Sequence, residues 1–151
     1  SKVGGEIEDS VIQGFSNKQH DGFLGHSYIG EWVNLGANTN TSDLKNNYSN
    51  VRMNLSDKEV IDTGKMFIGS IIGDFTKTAI STSLNTGTFI GTGSNVFSNS
   101  FNKKFIPSFS WGANDKVGLN RFLESCSKMM NRRKLDVNEP LKERLIELYQ
   151  K

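Results

Sequence analysis

Apolar residues recur at every sixth position through the middle of the chain. Read forward from Val60, the series is Val60, Met66, Ile72, Thr78, Leu84, Ile90 and Val96, and every member except Thr78 is apolar. The fourth residue after each of the first six members is small, as in Ser70, Thr76 and Ser94. An amphipathic helix would repeat its apolar positions about every 3.6 residues, and a half-buried strand would repeat them every second residue. A period of six fits neither element.

A six-residue period is typical of a solenoid in which each hexapeptide forms one short, flat side of a coil. The apolar member points into the core, and the small residue lies where the chain turns a corner. Three hexapeptides complete one turn, so we expect three stacked columns, namely Val60 on Thr78 and then Val96, Met66 on Leu84, and Ile72 on Ile90. The predicted fold is an all-β solenoid, a parallel β-helix of hexapeptide repeats.

The repeat is interrupted twice. Residues 37–59 are rich in asparagine, and we predict a long inserted loop there. After Phe105-Ile106-Pro107 the apolar residues follow helical spacing, and Asn138 is placed to cap a second helix. The predicted organisation is a β-helix over residues 1–112 and a C-terminal α-helical appendage over residues 113–151. The appendage is expected to cover one open end of the coil and to bury Cys126.

Composition excludes several classes of function. The net charge is +2 and charged residues make up 23% of the chain, which gives no footprint for nucleic acid or a membrane surface. The apolar runs are too short for a transmembrane helix. The two histidines cannot supply the three imidazoles of a β-helix zinc site. Because the chain begins without Met and already in repeat-like sequence, we expect a fragment of a longer cytoplasmic protein.

One stretch of the chain resembles a known active-site motif. His20 stands four residues before Leu24-Gly25, and Ile29-Gly30, the run Val33 to Ala37 and Asn47-Tyr48 follow. This pattern resembles the acetyltransferase domain of the bacterial bifunctional enzymes that make UDP-N-acetylglucosamine. The segments around Ser16–His20 and Phe105–Gly112 resemble a divergent branch of putative sugar nucleotidyltransferases, in which a pyrophosphorylase domain precedes the β-helix.

The resemblance implies more than the repeat does. It implies a left-handed coil, whereas the general preference for right-handed crossovers would predict the opposite hand. It also implies a homotrimer that transfers acetyl from acetyl-CoA to the amine of a sugar phosphate such as glucosamine-1-phosphate. The parent protein would then also be a nucleotidyltransferase, engaged in nucleotide-sugar synthesis.

Site residues follow from the motif. Acetyl transfer to an amine needs a base, and His20 matches the family's catalytic histidine. Residues expected to bind the sugar phosphate are Lys18, Phe23, Asn34, Asn47, Tyr48 and Arg52. Ile80 and Ser98 occupy the positions of the family's acetyl-CoA contacts. His26 is interpreted as structural, and Lys45 as a weaker cation candidate.

Departures from the family keep a second hypothesis open. Phe23 replaces a tyrosine and loses its hydroxyl, and a family lysine after the Asn-Tyr pair has no direct equivalent, with Arg52 or Lys65 as substitutes. The alternative is a β-helix that only trimerises or regulates a sugar-phosphate nucleotidyltransferase and performs no chemistry itself.

Overall fold

Short parallel strands dominate the fold. A computed structural model of the protein describes residues 1–98 and 102–151. The strands are β1 (Lys2–Val3), β2 (Glu6–Glu8), β3 (Val11–Ile12), β4 (Asn17–Lys18), β5 (Phe23–Gly25), β6 (Tyr28–Ile29), β7 (Asn40–Thr41), β8 (Arg52–Asn54), β9 (Val60–Asp62), β10 (Ser70–Ile72), β11 (Lys77–Thr78), β12 (Ser83–Leu84), β13 (Thr88–Ile90), β14 (Asn95–Val96), β15 (Phe105–Ile106), β16 (Ser110–Trp111) and β17 (Asp115–Lys116). The helices are α1 (Leu119–Asn131) and α2 (Glu139–Gln150). The chain divides into two compact units, Ser1–Asp115 and Lys116–Lys151.

The first unit is a left-handed parallel β-helix of about six turns, so the predicted fold class is confirmed. One face of the coil shows why the sequence folds this way. Isoleucine occupies the inward position on five successive strands, and each member is aligned with the next across a parallel ladder: Ile12, Ile29, Ile72, Ile90 and Ile106. β-branched side chains pack well on a pleated surface. This isoleucine column forms one wall of the hydrophobic core.

The other two faces are less uniform. On one, Ile7 lies beside Leu24, and Thr41 lies beside Leu84. On the other, Thr78 is aligned with Val96, and Lys18 with Val3. Buried threonines and serines at the corners, among them Thr76, Thr88 and Ser94, bear out the prediction of small corner residues.

Residues with positive φ mark the corners of the coil. Phe15, Trp32, Phe75 and Phe109 all have φ between 59° and 61° at the same corner of the coil, and Gly93, with φ of 72°, takes this corner on the turn between Phe75 and Phe109. Residues other than glycine rarely adopt this left-handed backbone conformation, because it costs conformational energy. Ring stacking offsets part of that cost, because Phe15 and Trp32 stack at 4.3 Å between centroids and Trp32 lies nearly parallel to Phe75.

The repeat does not begin at Val60, and the predicted stacks of Val60 on Thr78 and Met66 on Leu84 are wrong, whereas that of Thr78 on Val96 is confirmed. Val60 is 53% exposed and belongs to β9, which pairs antiparallel with β8 outside the coil. Met66 is also exposed, and Thr41 takes the place beside Leu84. The predicted stack of Ile72 on Ile90 is confirmed. The six-residue spacing therefore continues by coincidence through a segment that has left the coil.

That segment, which we call the excursion, is closed at its base by an antiparallel bridge between Leu44 and Phe67. Sequence analysis placed the loop at 37–59. The structure shifts it towards the C-terminus, because β7 still pairs in parallel with β12. The coil resumes with β10, whose Ile72 pairs with Ile29 of the preceding turn.

The second unit contains the two helices. Helix α1 buries Phe122, Cys126 and Met130, so the predicted helical spacing and the buried thiol are confirmed. Asn138 caps α2 by accepting a hydrogen bond from the backbone N–H of Leu141 at 3.0 Å, as predicted. No helix in the described part of the chain combines the length and the apolar character that crossing a membrane requires. The expected covering of the coil end by this unit stays a prediction.

Candidate functional site

His20 lies at the corner that precedes β5. Its side chain is exposed, and its imidazole makes no hydrogen bond or ion pair within the described residues. Its backbone carbonyl, by contrast, accepts a hydrogen bond of 2.7 Å from the ammonium of Lys18. The corner therefore fixes the backbone at His20 and leaves the imidazole open to a ligand.

Lys18 points into the coil, and only 2% of it is exposed. Its Nζ donates to the carbonyl oxygens of His20 and Gly4. Burial lowers the pKa of the Lys18 ammonium, and the charge of Asp21 opposes part of that effect. Sequence analysis counted Lys18 as a phosphate ligand. The structure instead places its ammonium on backbone carbonyls beside the histidine.

Because Lys18 is buried, we expect the chain to become more stable as the pH rises into the alkaline range. Since the pKa of Lys18 is lower in the folded chain than in the unfolded one, the unfolded chain binds more protons between the two values. Stability should therefore rise with pH from the lowered pKa up to the unfolded value of about 10.4. We expect Lys18→Met, which keeps the stem and removes the charge, to show a smaller rise. Urea unfolding at a series of alkaline pH values measures this, and equal slopes for the two proteins would contradict it.

Phe23 and Asn34 lie on neighbouring turns. The backbone N–H of Phe23 donates to Asn40 Oδ1 at 2.8 Å. Asn34 is exposed beside the buried Leu35, as predicted, and its Oδ1 accepts from Asn17 Nδ2 at 3.5 Å. Asn34 thus belongs to an outward row of polar side chains, which suits it to binding a ligand or to supporting the coil.

Asn47, Tyr48 and Arg52 lie together on the excursion. Asn47 Oδ1 accepts from the backbone N–H and the hydroxyl of Ser49, which closes a tight turn. Tyr48 has φ of 55° and is 64% exposed, so the turn presents its ring to solvent. The side chain of Arg52 is also exposed.

A histidine–aspartate pair clamps the neck of the excursion. His26 Nδ1 lies 2.8 Å from Asp43 Oδ2, the His26 ring stacks on Phe67, and Nε2 faces Asp9 at 3.5 Å. A Cβ at Gly25 would collide with Asp43 Oδ2 and the Phe23 ring, so a larger residue there would displace these side chains. His26 therefore joins the coil to the excursion, and the structural interpretation of it is supported. Sequence analysis missed Asp43, which no local pattern distinguishes.

The candidate residues form two groups on different edges of the coil. His20 precedes β5, whereas the excursion leaves the coil beside His26, which follows β5. A strand of three residues separates these corners by about 10 Å. Ile80 is 74% exposed, and Ser98 is exposed as well. Within the described residues, no hydrogen bond or ion pair joins His20 to Asn47, Tyr48 or Arg52.

Among the residues that the structure describes, no group of three or more histidine, cysteine, aspartate or glutamate side chains is arranged to hold a metal ion.

Comparisons with known proteins find similar sequences among bifunctional proteins. No family model matches the chain. The chain is 36% identical, over 76% of its length, to the bifunctional protein GlmU of Methanococcus aeolicus, and 36% identical, over 80%, to the protein of that name from Methanococcus maripaludis strain C7. It is 33% identical, over 56%, to the bifunctional sugar-1-phosphate nucleotidylyltransferase/acetyltransferase of Sulfurisphaera tokodaii.

The chain spans only 22%, 24% and 21% of the lengths of these three relatives. The resemblance predicted from the His20 motif is nevertheless confirmed. At the level that the comparisons support, the chain is similar to part of a bifunctional transferase with nucleotidyltransferase and acetyltransferase functions.

Proposed function

We propose that this chain, a relative of bifunctional sugar-1-phosphate nucleotidylyltransferase/acetyltransferases, is an N-acetyltransferase domain that acts on an amino-sugar phosphate. The observation that carries the proposal is the exposed imidazole of His20, presented on a corner whose backbone is held by the buried Lys18. Acetyl-CoA is the proposed acyl donor, and the parent protein is a cytoplasmic enzyme of nucleotide-sugar synthesis that also carries a nucleotidyltransferase domain.

His20 supplies the proton acceptor that the reaction needs. The amine nitrogen of the sugar attacks the thioester carbonyl carbon, and a C–N bond forms as the C–S bond breaks. The imidazole takes the proton that the amine loses, and the sulfur leaves as a thiolate that is protonated to free CoA. Proton transfer by a positioned side chain contributes about 10²–10⁴-fold to such rates.

A second copy of the chain would complete the site. His20 lies at the corner before β5, whereas the excursion that carries the Asn47-Tyr48 turn leaves the coil at the corner after β5, so we propose that one substrate contacts these two groups on different chains. We place the site between neighbouring subunits of a homotrimer, where the excursion of one subunit faces the His20 corner of the next. Asn34, Phe23 and Arg52 would bind the sugar phosphate, and Ile80 and Ser98 would contact acetyl-CoA.

Free thiol release tests the proposal. The chain is mixed with acetyl-CoA and glucosamine-1-phosphate, and N-acetylglucosamine-1-phosphate, whose amine is already blocked, serves as the matched control acceptor. We expect release only with the free amine, from a species with the solution mass of a trimer. A folded trimer that releases no thiol would favour the alternative, a β-helix that only trimerises or regulates a nucleotidyltransferase. A monomer would contradict the shared site.

A further inference from the structure

The ammonium groups of Lys45 and Lys104 both contact backbone carbonyls of one segment of the excursion, residues 50–52. Lys104 Nζ lies 3.3 Å from the carbonyl oxygen of Arg52 and 3.4 Å from Thr86 Oγ1. Lys45 Nζ donates to the carbonyl oxygen of Asn50 at 3.0 Å and to Ser49 Oγ at 2.7 Å. The two carbonyls belong to residues two apart in one segment, and such carbonyls lie about 7 Å apart on the same side of an extended chain.

The charges of Lys45 and Lys104 are not balanced by a carboxylate in the described part of the chain. Within residues 1–98 and 102–151, neither ammonium pairs with a carboxylate, and both contact only neutral oxygens. Burial lowers the pKa of Lys104, and the neighbouring charge of Lys45 lowers it further. An anion would relieve the repulsion between the lysines.

The turn beside these lysines is already a candidate ligand site. Lys45 is the first residue of the turn that presents Asn47 and Tyr48, and its carbonyl accepts from the backbone N–H of Tyr48 at 2.9 Å. Arg52, whose carbonyl contacts Lys104, adds an exposed guanidinium on the same segment. These contacts bring Lys104, from a later turn of the coil, to the segment of the excursion that follows the turn of Lys45 and Tyr48.

We propose that Lys45 and Lys104 form a binding site for the phosphate group of a substrate. Two ammonium groups held by carbonyls at this spacing can each donate to one phosphate, at about 2.8 Å per charge-assisted hydrogen bond. The identity of the phosphate rests on the proposed function: it belongs either to the amino-sugar phosphate or to CoA. Binding of the anion itself does not depend on turnover.

Calorimetric titration without turnover tests the site. The probes are glucosamine-1-phosphate, glucosamine, CoA and dephospho-CoA, titrated into the wild-type chain, Lys104→Met and Lys45→Met. Lys103→Met is the matched control, because Lys103 is an exposed lysine one residue away. We expect each site variant to weaken binding of one phosphorylated probe by about 10- to 100-fold, the loss typical of a hydrogen bond to a charged group. Lys103→Met should bind like the wild type.

The pattern of loss identifies the source of the phosphate. Weaker glucosamine-1-phosphate binding, with glucosamine hardly bound by any variant, assigns the site to the acceptor. Weaker CoA binding assigns it to the donor, and equal losses for dephospho-CoA would assign it to the diphosphate of CoA. The proposed site is contradicted if Lys104→Met and Lys45→Met bind every probe as tightly as Lys103→Met does. It is also contradicted if the wild-type chain binds none of the probes. Thiol release is measured separately, so either hypothesis can fail alone.

Discussion

His20→Ala is expected to lower acetyl-CoA-dependent thiol release by about 10²–10⁴-fold, the usual contribution of a positioned acid–base group. The imidazole is exposed and makes no hydrogen bond or ion pair within the described chain, so its removal leaves no polar group unpaired. Stability should change by no more than about 0.5 kcal/mol, as for most surface substitutions. Steady-state thiol release, with urea unfolding as the check on folding, measures both quantities.

His26→Asn is the matched control for that experiment. His26 has φ of 44°, a conformation that asparagine tolerates, but asparagine cannot reproduce the stack on Phe67. We expect this variant to lose stability while its rate per folded molecule stays close to that of the wild type. If His20→Ala retained full activity, His20 would not be the base, and an equal loss in both variants would indicate a structural effect.

Ile72→Ala is expected to cost about 2–5 kcal/mol of unfolding free energy, the range for truncating a buried isoleucine. Ile72 is fully buried and stands in the isoleucine column between Ile29 and Ile90. A repeat protein is held together by contacts between neighbouring turns. A cavity at Ile72 therefore weakens the packing of β10, the first coil strand after the excursion, against both neighbouring turns. Urea unfolding of wild type and variant measures the difference.

Ile71→Ala provides the comparison. Ile71 has the same side chain on the same strand, but it points outward and is only partly buried. Alternate residues of a strand face opposite sides, so this variant removes the same atoms from the outer surface. We expect a loss of about 1 kcal/mol or less. Equal losses at the two positions would show that the column is not the main source of stability in these turns.

The regular part of the fold was predictable because one rule governs it. Each inward position needs an apolar side chain, and that need recurs every sixth residue from Ile72 to Val96. Where the chain leaves the coil, the rule no longer applies, and Val60 and Met66 matched the period without obeying it. A period alone cannot distinguish a residue inside the coil from one that has the right spacing by coincidence.

The sequence predicted only those candidate site residues that belong to a recognisable motif. His20 and the Asn47-Tyr48 turn were found through resemblance, and both are exposed as a ligand site requires. The inward direction of Lys18 escaped prediction because a lysine is assumed to lie at the surface, although its register beside Val3 determines its direction. Lys104 carried no local signal, since its distance from Lys45 depends on how the excursion folds back.

The isoleucine column passes the excursion without a break, because Ile29 pairs directly with Ile72 on the far side of it. The excursion contacts the coil at its neck, through the Leu44–Phe67 bridge and the His26–Asp43 contact, and again where Lys104 Nζ contacts the carbonyl oxygen of Arg52. Long insertions at such points add little loop-closure entropy. Residues of the excursion away from these contacts can thus be exchanged while the coil keeps its sequence, which would change the proposed acceptor preference through one segment.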